Sequence, residues 1–200
     1  MTITVEHLPN SVALVTLSAE ASRNAFSLDS MELMSEIFDD LLGNPSIRSI
    51  VMTGTGRFFC SGADIESFAS AIDDGTIGEM VSGLTSILHP MQLKIRSSEK
   101  VFVVAINGSA AGGGLGLALC ADYRVCVPKA KLAAAFFSLG LSPDGGTTWL
   151  LPRLVGVQRA KCFFFNNETW SGEKAFHYGA VDELAEQENL LERAISIAES

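Results

Sequence analysis

Hydrophobic residues alternate or cluster over Ile3–Leu8 and Val12–Leu17, and Pro9-Asn10 separates the two runs. Extended runs broken by a turn pair predict a β-hairpin. The period then lengthens. From Ser27 or Asp29 onward, Met31, Leu33, Met34, Ile37, Phe38, Leu41 and Leu42 recur at helical spacing until Gly43-Asn44-Pro45, which predicts a helix with a polar start and a breaker at its end. Ser49–Met52 reads as a short buried strand closed by Gly54-Thr55-Gly56, Ala69–Gly78 as a mobile polar loop, and about Glu79 to Arg96 as a helix. An apolar, β-branched run begins at Val101, breaks at Asn107-Gly108, enters Gly112-Gly113-Gly114 and resumes as a helix into Asp122. Arg124–Val127 and Lys131–Phe137 read as further strands and Ser142–Gly146 as a turn. Helices are expected from Thr147, Val157, Ser171 and about Gln187. Strands alternating with helices predict an α/β fold rather than a sandwich.

The chain has 200 residues, 48% of them hydrophobic. That is enough for one substantial core, so a single domain over residues 1–200 is expected. Only 18% of residues are charged, and the net charge is -9. An acidic surface argues against nucleic acid and against an anionic membrane face. So few charges point to surface hidden in an oligomer. Val101–Ala121 carries no charge and has the length of a bilayer span, but its central glycines fit a strand–turn–helix and not a spanning helix. Cys60, Cys120, Cys126 and Cys162 form no Cys-x-x-Cys pair and lie in or beside apolar runs, as buried free thiols of a reducing compartment do. Met1–Glu6 shows neither a basic nor an apolar leader, and a cytoplasmic location is expected.

The glycine-rich turn after the Val101 run is the first candidate for chemistry. A buried strand feeding such a turn at a helix start presents bare backbone N–H groups. It is not a dinucleotide fingerprint, because Leu117 and Leu119 stand where a third small residue is required. It is not a phosphate loop either, because no Lys-Ser/Thr follows. A second turn of this kind occurs at Cys60–Ile65. Donors from two separate loops can form an oxyanion hole.

Together, Phe58–Ile65, the stretch from Val101 through Gly116, and Gly140–Pro152 closely resemble the crotonase (enoyl-CoA hydratase/isomerase) superfamily, and Ser22–Phe26 resembles its early CoA-side motif. The resemblance runs from about Val5 to Glu192 and implies a crotonase-like β/α spiral, stacked ββα turns with C-terminal helices, that binds acyl-CoA thioesters. By position, the N–H groups of Ala63 and Gly113 would hold the thioester oxygen. Ser61, Ala63 and Ile65 would present backbone groups to the adenine, and Arg23, Ala25, Gly113 and Phe136 would complete the substrate and CoA site. Residues to about 145 would form the core and those from about 146 a helical trimerisation region. A homotrimer or hexamer is implied. CoA would arrive as part of the substrate, with no metal and no separate cofactor.

Departures from the pattern narrow the reaction. Hydratases of this superfamily use two glutamates, and their positions fall here on Gly116 and Phe136. Asp144 is the carboxylate that remains, as in isomerases that carry a lone acid there, including those acting on ring-derived phenylacetyl-CoA intermediates. Apolar neighbours Phe136, Phe137, Leu141 and Trp149 would strip its water and raise its pKa. His89, before Pro90, is a further candidate, because aryl-CoA dehalogenases of the superfamily carry a histidine near this position and a nucleophilic aspartate at that of Asp144. The expected function is an acyl-CoA isomerase shifting a double bond from the 3 to the 2 position, or carrying out a related ring-derived acyl-CoA rearrangement. Two alternatives stay open: dehalogenase-like or other lyase or hydrolase chemistry of the superfamily with Asp144 as nucleophile, and a non-catalytic CoA-binding partner. The segment ends before the terminal helices usual in the superfamily.

Overall fold

The computed structural model of the chain describes residues 1–19 and 23–200. The hairpin forms where the pattern places it: β1 (Thr2–Leu8) pairs antiparallel with β2 (Val12–Ser18). Asn10 and Ser11 make the turn with φ of 60° and 64°. β1 half-buries Ile3, Val5 and Leu8 and forms an edge, whereas Val12, Ala13, Leu14, Val15 and Leu17 of β2 are all buried. The reason is position: β2 pairs on its other side with β3 (Ser49–Gly54), in parallel. Parallel pairing continues to β5 (Val101–Ile106), β7 (Tyr123–Cys126) and β10 (Glu183–Leu184). Strands covered on both faces read as unbroken apolar runs, as Phe102–Ile106 does.

A second sheet of four short strands lies apart from the first, in the order β4 (Phe58–Cys60), β6 (Ser109–Ala111), β8 (Lys131–Ala133) and β9 (Thr169–Ser171). Each turn of chain gives one strand to each sheet: β3 then β4, β5 then β6, β7 then β8. This is the stacked ββα spiral the resemblance implied.

The helices close the layers. α1 (Leu28–Gly43) begins at Ser27, whose hydroxyl accepts from Ser30 N–H while the Ser27 N–H donates to the Ser30 hydroxyl. Such reciprocal capping satisfies two otherwise orphaned groups. α3 (Ile77–Ser97) contains Pro90 and buries Leu84, Leu88, Met91, Gln92 and Ile95. α4 (Gly113–Leu119) is buried along nearly its whole length. α5 (Thr147–Val155), α6 (Val157–Phe165), α7 (Gly172–Tyr178) and α8 (Leu190–Glu199) follow, with α8 returning to pack on β3 and β5. No helix among the described residues is long and apolar enough to cross a membrane.

Two local expectations are corrected. The stretch read as a mobile loop begins inside α2 (Ile65–Asp73), which Asp64 caps by accepting from Ser67 N–H and Oγ. Phe68 and Ala71, one turn apart, anchor it, and it ends before Gly75 at φ 72°. A single buried pair is too sparse a pattern to stand out from its polar neighbours. The strand read through Phe137 ends at Ala133, because Ala135 adopts φ 54° and Phe137–Leu139 forms a 3-10 turn. A left-handed residue cannot continue a ladder.

Candidate active site

The site is assembled from three backbone approaches that leave no room for side chains. The first is at Gly62, between β4 and α2, with φ 82°. A Cβ there would lie 2.9 Å from the Ala111 carbonyl oxygen and 3.2 Å from the Gly113 nitrogen. The second is at Gly114, where a Cβ would meet the Cys60 carbonyl oxygen at 2.3 Å. The third is at Gly116, where it would meet the Gly145 carbonyl oxygen at 2.2 Å. These contacts draw the Cys60–Asp64 loop, the start of α4 and the Asp144-Gly145 turn onto one another. They also give the physical reason for Gly116: the turn bearing Asp144 occupies the space that a longer side chain would need.

Backbone hydrogen bonds tie this junction together. Phe26 N–H donates to Gly62 O at 2.7 Å, and Asp64 N–H donates to Phe26 O at 3.3 Å. Ala63 and Phe26 form an isolated parallel bridge, and in that pattern Ala63's own N–H points away from Phe26. Gly113 is the first residue of α4, so its N–H has no acceptor within the helix. Both residues line a cavity of about 250 Å³. Its apolar wall comes from Phe26, Phe68, Leu84, Leu88, Phe136 and Leu141, with Asp144 on the same lining. Arg23, Ser61 and Ile65 also line it, and Ser61 N–H donates to Arg23 O at 3.2 Å. Ala25 is buried, and Phe26 beside it supplies the wall instead. Ser22 of the early motif lies outside the described residues.

Asp144 is the acid of this cavity. No donor among the described residues hydrogen-bonds its carboxyl, while its backbone oxygen accepts from Thr147 N–H at 3.0 Å and Thr147 Oγ1 at 2.7 Å. Burial raises its pKa above the ordinary carboxylate value, and nearby His89 partly offsets that rise. Of the expected apolar neighbours, Phe136 is buried, but Trp149 is 61% exposed and Phe137 is 41% exposed. Cys60, packed against Gly114, is no rival nucleophile, because burial pushes its thiol up to about 12.

His89 does not line the apolar cavity. It borders a separate bay of about 840 Å³ that Asp144 also lines. His89 Nε2 accepts from Gly145 N–H at 3.2 Å. Gln92, which sequence reasoning passed over, donates from Nε2 to Gly145 O at 3.1 Å and is 6% exposed. The signal that marks it is a glutamine where the apolar period of α3 calls for a hydrophobe.

A chain with this double-layered spiral and this junction of glycine-rich turns belongs to the enoyl-CoA hydratase/isomerase family, whose model matches residues 7–200. It is 36% identical over 190 residues to a probable enoyl-CoA hydratase of Mycobacterium leprae, covering 94% of this chain and 65% of that protein; the chain thus spans a little under two thirds of that relative's length. It is 30% identical to a 1,2-epoxyphenylacetyl-CoA isomerase of Escherichia coli, covering 99% of this chain and 75% of that protein. It is 31% identical to a 4-chlorobenzoyl coenzyme A dehalogenase of an Arthrobacter species, covering 98% and 70%. The crystal structure of an enoyl-CoA hydratase from Bacillus anthracis superposes with a TM-score of 0.92 at 32% identity, covering all of this chain and 76% of that one.

Proposed function

We propose that this chain is an acyl-CoA isomerase that moves a double bond from the 3 to the 2 position, or carries out a related rearrangement, with Asp144 as the acid–base group. One observation carries the reading. A single carboxyl, in a partly desolvated setting, shares an apolar cavity with Ala63 and Gly113; this reading takes their N–H groups as the donors and, from the resemblance, places the hydratase glutamate positions on Gly116 and Phe136. Asp144 removes the proton from the carbon beside the thioester carbonyl. The electron pair moves onto the thioester oxygen, where the Ala63 and Gly113 N–H groups hold it. Donors placed in advance against developing charge each lower such a barrier by roughly 3 kcal/mol. The protonated Asp144 then returns the proton two carbons further along the acyl chain, and the double bond comes to rest next to the carbonyl. CoA enters as part of the substrate, past Arg23, Ser61 and Ile65 at the mouth.

A second reading is favoured by His89 beside the Asp144 turn. In it, Asp144 Oδ attacks an aryl-CoA ring carbon, a leaving group departs with its electron pair, and water later hydrolyses the aryl ester. Mass spectrometry of protein quenched before a single turnover is complete separates the two. An aryl adduct on Asp144 supports the nucleophile, and an unmodified chain with isomerised product supports the acid–base role. The working assembly under this proposal is a homotrimer or a pair of trimers.

A further inference from the structure

We infer that Gln92 and His89 are a two-point clamp on the Gly145 peptide, positioning residues that hold the Asp144 carboxyl against the Gly113 end of the cavity. The inference rests on the reading of Asp144 as the acid–base group and deepens it. The two side chains lie three residues apart on α3, on either side of Pro90-Met91. One grips each end of the same backbone unit. His89 Nε2 takes the Gly145 N–H at 3.2 Å, and Gln92 Nε2 gives its proton to the Gly145 oxygen at 3.1 Å.

The clamped residue is the structural link between acid and donor. Asp144 precedes it directly. On its other side a Cβ would lie 3.3 Å from Gly113 Cα, so the backbone of Gly145 rests on the backbone of Gly113. Gly145 and its neighbour Gly146 adopt φ of 57° and 73°, a pair of conformations with no intrinsic stiffness in a chain of glycines. Nothing within Gly145-Gly146 fixes where Asp144 stands. The Thr147 N–H and Oγ1 hold the Asp144 carbonyl from α5, and the two hydrogen bonds from α3 fix the Gly145 that follows it.

Gln92 has no other evident reason to be where it is. It sits 6% exposed between Leu88 and Ile95 on the buried face of α3. An amide there loses its water without gaining anything a leucine would not supply, except the bond to Gly145.

The test is steady-state kinetics on the full chain, with a 3-enoyl-CoA thioester as substrate. Gln92→Met keeps the volume and removes the donor; His89→Phe keeps a ring and removes the acceptor. A clamp predicts that kcat falls about 10²-fold in either variant, the scale of a misplacement of about 1 Å, with KM nearly unchanged. His89→Gln, which restores an acceptor near the Nε2 position, recovers most of what His89→Phe loses. Because His89 is exposed, its variants fold even where Gln92→Met does not. Parent kcat in His89→Phe overturns the clamp, as does a loss confined to KM. Equal loss in His89→Gln and His89→Phe also overturns it, by assigning His89 a proton-transfer role. The parent reading fails separately, when Asp144→Asn keeps its turnover; the clamp alone fails when Asp144→Asn is inactive and His89→Phe is not impaired.

Discussion

Burial withholds water from the Asp144 carboxyl, so its charged form is less favoured than in an exposed aspartate. A base must be ionised to take a proton. Activity should therefore decline as pH falls through a kinetic pKa above the ~3.9 of an ordinary aspartate. A pH–rate profile flat down to about that value removes the elevated pKa. The same shift acts on stability. The folded carboxyl keeps its proton to higher pH than the unfolded one, so the native state binds more protons between the two values. Stability falls as pH rises through that window, and above it the ionised carboxylate is a standing cost. Asp144→Asn should lose about 10²- to 10⁴-fold in kcat, the contribution of a placed acid–base group. At neutral pH it should also melt at a higher temperature than the parent. That advantage should shrink toward pH ~4, where the unfolded aspartate is protonated as well. Calorimetry at pH 4 and 7 checks the sign; a lower melting temperature at neutral pH contradicts it.

At the scale of elements, the start of α4 is set by what lies against it. Gly116 faces the Gly145 oxygen at a distance no side chain can share. Gly116→Glu, which restores a hydratase-type residue, should confer no water addition. It should instead push the Asp144 turn away, costing roughly 1–3 kcal/mol of stability from overpacking and most of the isomerase rate. Faster hydration of a 2-enoyl-CoA by this variant would contradict that account. Elements with a long period were legible from the chain alone: the hairpin, α1, α3 and the β5-to-α4 turn each repeat an apolar pattern enough times to declare themselves. The short strands β4, β6, β9 and β10 were not, because two or three residues carry no period and exist only through partners distant in sequence. The glycine-rich turns and Asp144 were visible as motifs. Gln92 was not, since its partner Gly145 lies 53 residues away and only the fold brings them together.

At the scale of the whole molecule, α5 and α6 carry exposed hydrophobic side chains, and some of them reach toward the site. Trp149 of α5 and Val157 and Phe165 of α6 are 61%, 60% and 73% exposed. Phe165 stacks on Phe137 at 5.8 Å between ring centroids, and Phe137 opens the 3-10 turn whose last residue, Leu139, lines the apolar cavity. Trp149, with the Arg153 guanidinium 3.1 Å above its ring centroid, borders the bay that Asp144 also lines. A monomer gains nothing by leaving three large hydrophobes in water, whereas a neighbouring subunit seated on α5 and α6 removes them from it. Under the proposed trimer, that neighbour also steadies the turn carrying Leu139 and the wall beside Asp144. Assembly and turnover are then coupled. Sedimentation should give a mass about three or six times the 21.3 kDa of one chain. The double variant Trp149→Glu, Phe165→Glu should shift it toward one chain. As the variant dissociates, its turnover should fall with dilution while the parent's holds. A parent species at the single-chain mass that persists on concentration, and turns over substrate undiminished, overturns both the trimer and the coupling.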